Sequence, residues 1–561
     1  MKVYEQFAGA VIAEGVEAIF AVMGDGNMRL LNLLESKGMK VYYCRHEASA
    51  VAMAEGYARA SGKLGVASVT CGPGLALTGL TLLIGSRNRT PLLVIAGDSP
   101  RGDRYYNQNF DQRRFAEACE AMYFELSDPA FAGADLREAF VAARTGGPTV
   151  FGADFDVQET EAPASDAYSP STALMLPYQR VRPDRAALER AAGVLSQAQR
   201  PIIIAGRGAF DARDAILALQ ARTGALLATT MHGKGLFDGH PANLGLAGGF
   251  SSPKAKALFE RADCVLAVGA SLNYYTTNQG RLFPAATSIQ IDRRPLALIN
   301  GLNVGRGVPA GPMRADLYLE GDARATLEEL ELAIAASVRT PGWPQVLAEL
   351  EAPPPGEHPF AVSPGELHPR DVMRVIAAAA PKDAYFVIGL GHFWWFAWTF
   401  LGGSDAHRFH APIEFGSIGQ GLCSAIGAAI ALPDRQVILV EGDGGFLMSI
   451  QELDTAARYS IPLIAVVMDD AGLGAEFHKL EAKGLDPGGA KIRPPDFAAV
   501  AVGFGANGIR VTTLADLEAA IQRYKTEGRP AIIDVNISQD VVSDPYLAAH
   551  YPTALSSGSK V

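Results

Sequence analysis

Gln436-Val437-Ile438-Leu439-Val440-Glu441-Gly442-Asp443-Gly444-Gly445-Phe446 is the stretch whose reading decides the fold. Its apolar run reads as a buried parallel strand. The glycines after it mark a carboxyl end, the edge at which open α/β sheets bind ligands. An amphipathic stretch from Met448 to Tyr459 follows. A second apolar strand, Pro462 to Met468, then ends in Asp469-Asp470 and Ala471-Gly472-Leu473-Gly474. Two consecutive strands therefore each deliver carboxylate at a carboxyl end. Gly442, Gly444 and Gly445 let backbone N–H groups approach an anion. Oxygen ligands beside such a loop describe a seat for a divalent cation and a diphosphate. A Gly-Asp-Gly alone is more often a plain turn; the second acidic strand end is what favours a site.

Working outward, the 561-residue chain is too long for one core, and three domains of roughly 150–200 residues each is the natural division. An apolar content of 48%, 59 glycines and few charges suit a large α/β enzyme. The net charge of −11 argues against nucleic acid or an anionic membrane as partner. No apolar run approaches the roughly 20 residues that span a bilayer. Met1-Lys2-Val3-Tyr4-Glu5-Gln6 lacks a signal-peptide layout. Cys44, Cys71, Cys119, Cys264 and Cys423 are scattered without CxxC spacing, offering no zinc site and fitting a reducing compartment. A soluble cytoplasmic protein is expected.

Residues 1–165 alternate helical and strand patterns, with a helix over Tyr4–Glu14 and a small-residue helix over Ala48–Ser61. Strands are expected over Ala18–Val22, Val41–Cys44, Gly65–Thr70 and Pro91–Ala96. From Glu159 to Asp184 the text becomes Pro/Ser/Ala-rich and reads as a linker. A second unit, 184–345, has strands over Pro201–Ala205, Cys264–Val268 and Ser288–Ile291. Glu351–Pro359 reads as a stiff second linker. The third unit, 365–545, holds the opening motif, and Pro552–Val561 is an aperiodic tail. The expected fold class is α/β, with three doubly wound parallel-sheet domains.

Four further stretches stand beside the opening motif. They are Arg45-His46-Glu47-Ala48-Ser49-Ala50 with Ala54-Glu55-Gly56-Tyr57-Ala58-Arg59, then Thr70-Cys71-Gly72-Pro73-Gly74, then Gly389-Leu390-Gly391-His392-Phe393. The last is Glu414-Phe415-Gly416-Ser417-Ile418-Gly419-Gln420-Gly421-Leu422, running into Ala425-Ile426-Gly427-Ala428. Together they resemble the thiamine-diphosphate-dependent enzymes of the acetolactate synthase, pyruvate decarboxylase and benzoylformate decarboxylase group. The resemblance covers essentially the whole chain, in the order pyrimidine-binding, middle and diphosphate-binding domain.

The resemblance implies a role for each stretch. Glu47 would hydrogen-bond N1′ of the aminopyrimidine and drive its imino tautomer, a task suited to a partly desolvated carboxyl. Gly72 and Pro73 would let backbone pack close to the cofactor. The Gly416 carbonyl would take the 4′-amino group, and Ile418 would wedge the cofactor into a V that makes proton removal intramolecular. Leu390, Gly391 and His392 would bind the diphosphate from the opposite edge, beside Gly442, Asp443, Gly444, Gly445, Leu473 and Gly474. Asp443, Asp470 and the Gly472 carbonyl would ligate Mg2+ or another divalent cation. Relatives usually carry Asn-Asn where this chain has Asp469-Asp470; the change keeps an oxygen ligand and adds negative charge. Taken alone, Glu47 reads as a helix-initiating acid, Ile418 as a core residue, and Trp394, Trp395, Phe396 and Trp398 as packing.

Three positions bear on the reaction. Asp25 and Glu476 match proton-handling acids of the pyruvate decarboxylases. Their paired histidines are missing, and Asn107-Gln108-Asn109-Phe110-Asp111-Gln112 is closer to a synthase segment, making Gln108 a substrate contact. His46 and His478, near site residues in sequence, are as readily structural. The mixture favours decarboxylation of a 2-oxo acid donor with carboligation to a carbonyl acceptor. Non-decarboxylating cleavage of a diketone or 2-hydroxyketone is the alternative, and a cofactor-binding homologue without turnover is a third, less favoured one. Gly206-Arg207-Gly208 could approach a nucleotide phosphate, as FAD or ADP sits in some relatives, yet no full dinucleotide fingerprint is present. The resemblance also implies a homodimer or homotetramer whose sites combine Glu47 of one chain with Asp443 of another.

Overall fold

The computed structural model describes residues 1–551 except 104, 164–167, 294–314, 335–341, 350–359, 361 and 404. Three six-stranded sheets follow one another, all parallel. The first holds β1 (Ala18–Ala21), β2 (Lys40–Tyr43), β3 (Gly65–Val69), β4 (Leu92–Asp98), β5 (Met122–Glu125) and β6 (Thr149–Asp154), in the order β2-β1-β3-β4-β6-β5. The second holds β7 (Pro201–Ala205), β8 (Leu226–Thr229), β9 (Asn243–Leu246), β10 (Cys264–Val268), β11 (Thr287–Asp292) and β12 (Leu317–Glu320), in the order β12-β11-β10-β7-β8-β9. The third holds β13 (Tyr385–Ile388), β14 (Phe409–His410), β15 (Val437–Gly442), β16 (Leu463–Asp469), β17 (Asn507–Val511) and β18 (Ala531–Asn536), in the order β14-β13-β15-β16-β18-β17. The first and third sheets thus share one strand order. The expected α/β class with three doubly wound parallel sheets is what the chain adopts.

Helices cover both faces of each sheet, which is why β15 and β16 read as unbroken apolar runs rather than alternating ones. The first and third domains meet through the Glu47–Ser61 and Gly421–Ala431 helices. A Cβ on Gly56 would lie 2.2 Å from the Ser424 carbonyl oxygen, and one on Gly427 would lie 1.9 Å from that of Met53. The two helices therefore touch backbone to backbone, and the alanines around the glycines are buried in one core spanning both sheets. A buried polar knot joins all three domains nearby. Glu55 accepts from Asn88 Nδ2 at 3.1 Å and Thr90 Oγ1 at 3.0 Å, and lies 3.0 Å from His410 Nε2. Arg207 donates to the Asn88 carbonyl at 2.9 Å, and His232 pairs with Glu414.

Three expectations need correction. The glycine stretch expected to be a loop is itself helical, a short helix spanning Asp443–Leu447, and the amphipathic Met448–Tyr459 stretch holds the helix Glu452–Arg458. The Glu159–Asp184 stretch is not a free linker where described. Buried Glu14 fastens it to the first domain, accepting from Tyr168 Oη and the Ser171 N–H, both at 2.7 Å. Eight strands went unread: β5, β6, β8, β9, β12, β14, β17 and β18. The expected linker Glu351–Pro359 and tail Pro552–Val561 lie outside the described residues. No described helix is long and apolar enough to cross a membrane.

Candidate active site

At the carboxyl end of β15 the backbone turns straight into a helix whose first residue is Asp443, leaving its carboxylate buried. β16 ends beside it, and Ala471, at φ 56°, reverses the chain so that the Gly472 N–H points back. That single N–H donates to Asp443 Oδ2 at 3.0 Å and to Asp470 Oδ1 at 3.1 Å. Burial first, then the neighbouring Asp470, pushes Asp443 up to about 8, and burial with Asp469 pushes Asp470 up to about 7. Two adjacent carboxyls raised by burial and by neighbouring acids form a seat that a cation would relieve.

The tandem acids part company. Asp469 accepts from the Ala471 N–H at 3.0 Å and pairs with Arg510 at 3.3 Å, facing away from Asp443. Among the described residues no group of three or more His, Cys, Asp or Glu side chains gathers to hold a metal. Two carboxylates alone would leave a divalent cation incomplete, to be finished by backbone, water or cofactor oxygens. The Gly472 carbonyl and a diphosphate would supply them, so the residues present fit the group.

Leu390, Gly391 and His392 leave the neighbouring β13. His392 Nε2 accepts from the Ser543 N–H at 3.1 Å, so the ring proton sits on Nδ1. Burial and adjacent His478, with ring centroids 4.3 Å apart, hold His392 well below the usual imidazole range. It is a neutral donor. Gly474 separates it from the acids: a Cβ there would fall 2.3 Å from Asp470 Oδ2 and 3.3 Å from His392 Cβ. His478 is buried, and Glu476, one turn into the same Gly474–Ala482 helix, is exposed and pairs with Lys479 at 3.1 Å.

Sequence reasoning passed over Glu441. Its buried carboxyl accepts from the Gly421 and Gly442 N–H groups, both at 3.2 Å, tying the start of the Gly421–Ala431 helix to the β15 exit. Burial pushes it up to about 8. The available signal was an acid inside an apolar strand, directly before Gly442.

The first-domain residues line the carboxyl ends of adjacent β2, β1 and β3. His46 caps the helix through Nδ1 and the Ala48 N–H at 3.1 Å, and Glu47 is the helix's first residue, half-buried. Asp25 is exposed on the β1 exit, and the Gly26 N–H donates to Thr70 Oγ1 at 3.1 Å. Gln108 Oε1 accepts from Cys71 Sγ at 3.1 Å, next to Gly72 and Pro73. Gln112 is elsewhere, buried against the Gly97 carbonyl at 2.9 Å.

The structure thus gathers two sets, one per domain. No hydrogen bond or ion pair among the described residues joins the Asp25, Glu47, Gly72 and Gln108 set to the Leu390–His392, Asp443 and Asp470 set. Gly416, at φ 74°, and the half-buried Ile418 sit on the third domain's face with Phe415 and Met448, both exposed, while Met23 and Leu77 are exposed on the first domain.

The family model "Thiamine pyrophosphate enzyme, N-terminal TPP binding domain" matches residues 1–118, the central domain 188–330, and the "C-terminal TPP binding domain" 389–535. The chain belongs to the thiamine-pyrophosphate-dependent enzymes. The cofactor-binding domains are those that carry the two gathered sets. This thiamine-pyrophosphate-dependent enzyme is 29% identical to the acetolactate synthase large subunit of Parasynechococcus marenigrum, over 94% of this chain and 86% of that one. It is 28% identical to the sulfoacetaldehyde acetyltransferase of Rhodobacter capsulatus, over 96% and 95%. It is also 28% identical to acetolactate synthase isozyme 2 large subunit of Escherichia coli, over 94% of each.

Proposed function

We propose that the enzyme decarboxylates a 2-oxo acid and transfers the acyl unit to an aldehyde or ketone acceptor, working as a homodimer or homotetramer. What carries this reading is that relatives matched along nearly their whole length are named as an acetolactate synthase and as an acetyltransferase. Gln108 supports it, an amide beside the Cys71–Gly72 turn where a decarboxylase would place histidines.

When bound, thiamine diphosphate supplies the electron sink for breaking and making the carbon–carbon bond. Glu47 holds and returns a proton at N1′, and the Gly416 carbonyl and Ile418 fix the pyrimidine. Asp443, Asp470 and the Gly472 carbonyl would hold Mg2+ or a similar cation. His392 would donate Nδ1–H to the diphosphate, and Gly442, Gly444, Gly445, Leu473 and Gly474 would bring backbone against it. Asp25 and Glu476 handle protons on substrate and product. The middle domain is structural. Its Gly206 and Gly208 N–H groups are already taken by the Val268 and Gly269 carbonyls at 2.9 and 3.1 Å, and Arg207 turns into the domain junction.

A screen of carbon dioxide release across 2-oxo acids, with and without carbonyl acceptors, tests the reading. Condensed product with carbon dioxide is expected; diketone cleavage without carbon dioxide would replace it. Glu47→Gln should lower turnover by about 10²–10⁴-fold while cofactor affinity holds. Full activity in that variant would remove Glu47 from the mechanism.

A further inference from the structure

The third domain grips the first at a place that none of these assignments uses. β2 is an edge strand, with β1 on one side and unpaired backbone groups on the other. Side chains of the Glu452–Arg458 helix and of Tyr459 meet those groups. Tyr459 Oη accepts from the Tyr43 N–H at 2.9 Å and donates to the Val41 carbonyl at 3.3 Å. Arg458 donates to the Tyr43 carbonyl at 2.6 Å. The Tyr459 ring also lies edge-on to Tyr42, with centroids 5.0 Å apart.

Pairing with β1 ends where the Cys44 N–H reaches the Ala21 carbonyl at 2.8 Å, and the helix beyond does not begin until Glu47. Arg45 and His46 bridge that gap. Both oxygens of Glu452 accept from the Arg45 N–H, at 3.1 and 3.2 Å, and Asp454 binds the Arg45 guanidinium at 2.6 Å. Glu452 is fully buried, and Thr455 Oγ1 donates to its Oε2 at 2.7 Å. A buried carboxylate that takes the backbone N–H two residues before the proposed proton carrier, and the Ser49 side chain two residues after it, fixes where that carrier begins.

We propose that Glu452 is a positioning residue for Glu47: it locks the backbone between β2 and the Glu47–Ser61 helix so that the Glu47 carboxyl is presented at a fixed place. The proposal rests on the proton role given to Glu47 above. Glu452 touches neither cofactor nor substrate in it and acts through the Arg45 N–H and through Ser49, which hydrogen-bonds its carboxylate from the first turn of the helix.

The test compares Glu452→Met, Glu452→Gln and Glu47→Gln by two measurements. One is amide hydrogen exchange over residues 43–50 in the cofactor-free protein. The other is the exchange rate of the C2 proton of bound thiamine diphosphate, followed by NMR after acid quench. In Glu452→Met the amides should exchange about tenfold faster, and the C2 proton about a hundredfold slower. Glu452→Gln keeps an acceptor and should recover most of both. Wild-type C2 exchange in Glu452→Met, with slow exchange in Glu47→Gln, overturns the positioning role alone. Wild-type exchange in Glu47→Gln overturns the underlying reading of Glu47, and the proposal with it. If Glu452→Met does not fold, Thr455→Val removes only the hydroxyl that orients the carboxylate. It should shift both measurements in the same directions by a smaller factor; no shift overturns the proposal.

Discussion

Asp443 and Asp470 share one backbone N–H, that of Gly472, which brings two buried carboxyls side by side. Both are raised, to about 8 and about 7, chiefly by burial. An acid raised on folding favours the fold only while it keeps its proton. That contribution is complete below about pH 4 and is lost as pH climbs towards about 8. The thermal midpoint of the cation-free protein should therefore fall between about pH 5 and pH 8. Added Mg2+ with thiamine diphosphate should restore it, most at the alkaline end. Calorimetry at the two pH values checks this; equal midpoints would separate the pair from the stability of the protein.

Replacing Asp470 by asparagine keeps an oxygen at the site and removes one charge. At about pH 8 the Asp470→Asn protein without cation should melt higher than the parent. Its Mg2+ affinity should be about tenfold weaker, because ligand charge sets the strength of such sites. Titration of Mg2+ against thermal midpoint reads both effects in one experiment.

The Glu55–His410 contact joins two domains inside the core. Burial holds His410 below the usual imidazole range, whereas His410, Arg59 and Thr90 outweigh burial to hold Glu55 low. The contact at neutral pH is thus a neutral imidazole donating to a carboxylate. His410→Phe leaves Glu55 Oε2 without its donor, Asn88 and Thr90 holding only Oε1, and should cost about 1–3 kcal/mol, seen as a lower midpoint in calorimetry. Glu55→Gln keeps an acceptor and should cost less.

Glycines across the chain should answer differently to alanine. At Gly427 a methyl has no room beside Met53, and Gly427→Ala should cost about 3 kcal/mol. At Gly193, inside the Arg185–Gln197 helix, a methyl meets nothing within 4 Å. Gly193→Ala should stabilise by about 0.5–1 kcal/mol. Midpoints of the two variants, measured side by side, decide the contrast.

How far the sequence could be read follows from where each strand sits. Interior strands covered on both faces, such as β7, β10, β15 and β16, carry long apolar runs and were legible. Five of the eight unread strands are sheet edges, where no run forms: β5, β9, β12 and β17 are half wet, and β14 is only two residues long. β6 is interrupted by Gly152, β18 by Asp534, and β8 is only four residues long. Candidate site residues at strand exits stood out because glycine and acid cluster there. Glu441 and Glu452 did not, since their links to the Gly421 and Arg45 N–H groups join separate segments that only the fold brings together.

The shared strand order of the first and third sheets has a consequence for how the two halves meet. β2 corresponds to β14, so the Glu47–Ser61 and Gly421–Ala431 helices are counterparts, and they pack on each other through Gly56 and Gly427. That is an isologous contact, the self-complementary kind that two-fold dimers make, enclosed here within one polypeptide. β3 and β15 correspond too, and each leads into a short helix, Pro73–Ala76 and Asp443–Leu447. The two halves are therefore built on one plan and differ at this strand exit, where one has buried Asp443 and the other the Thr70–Gly72 turn.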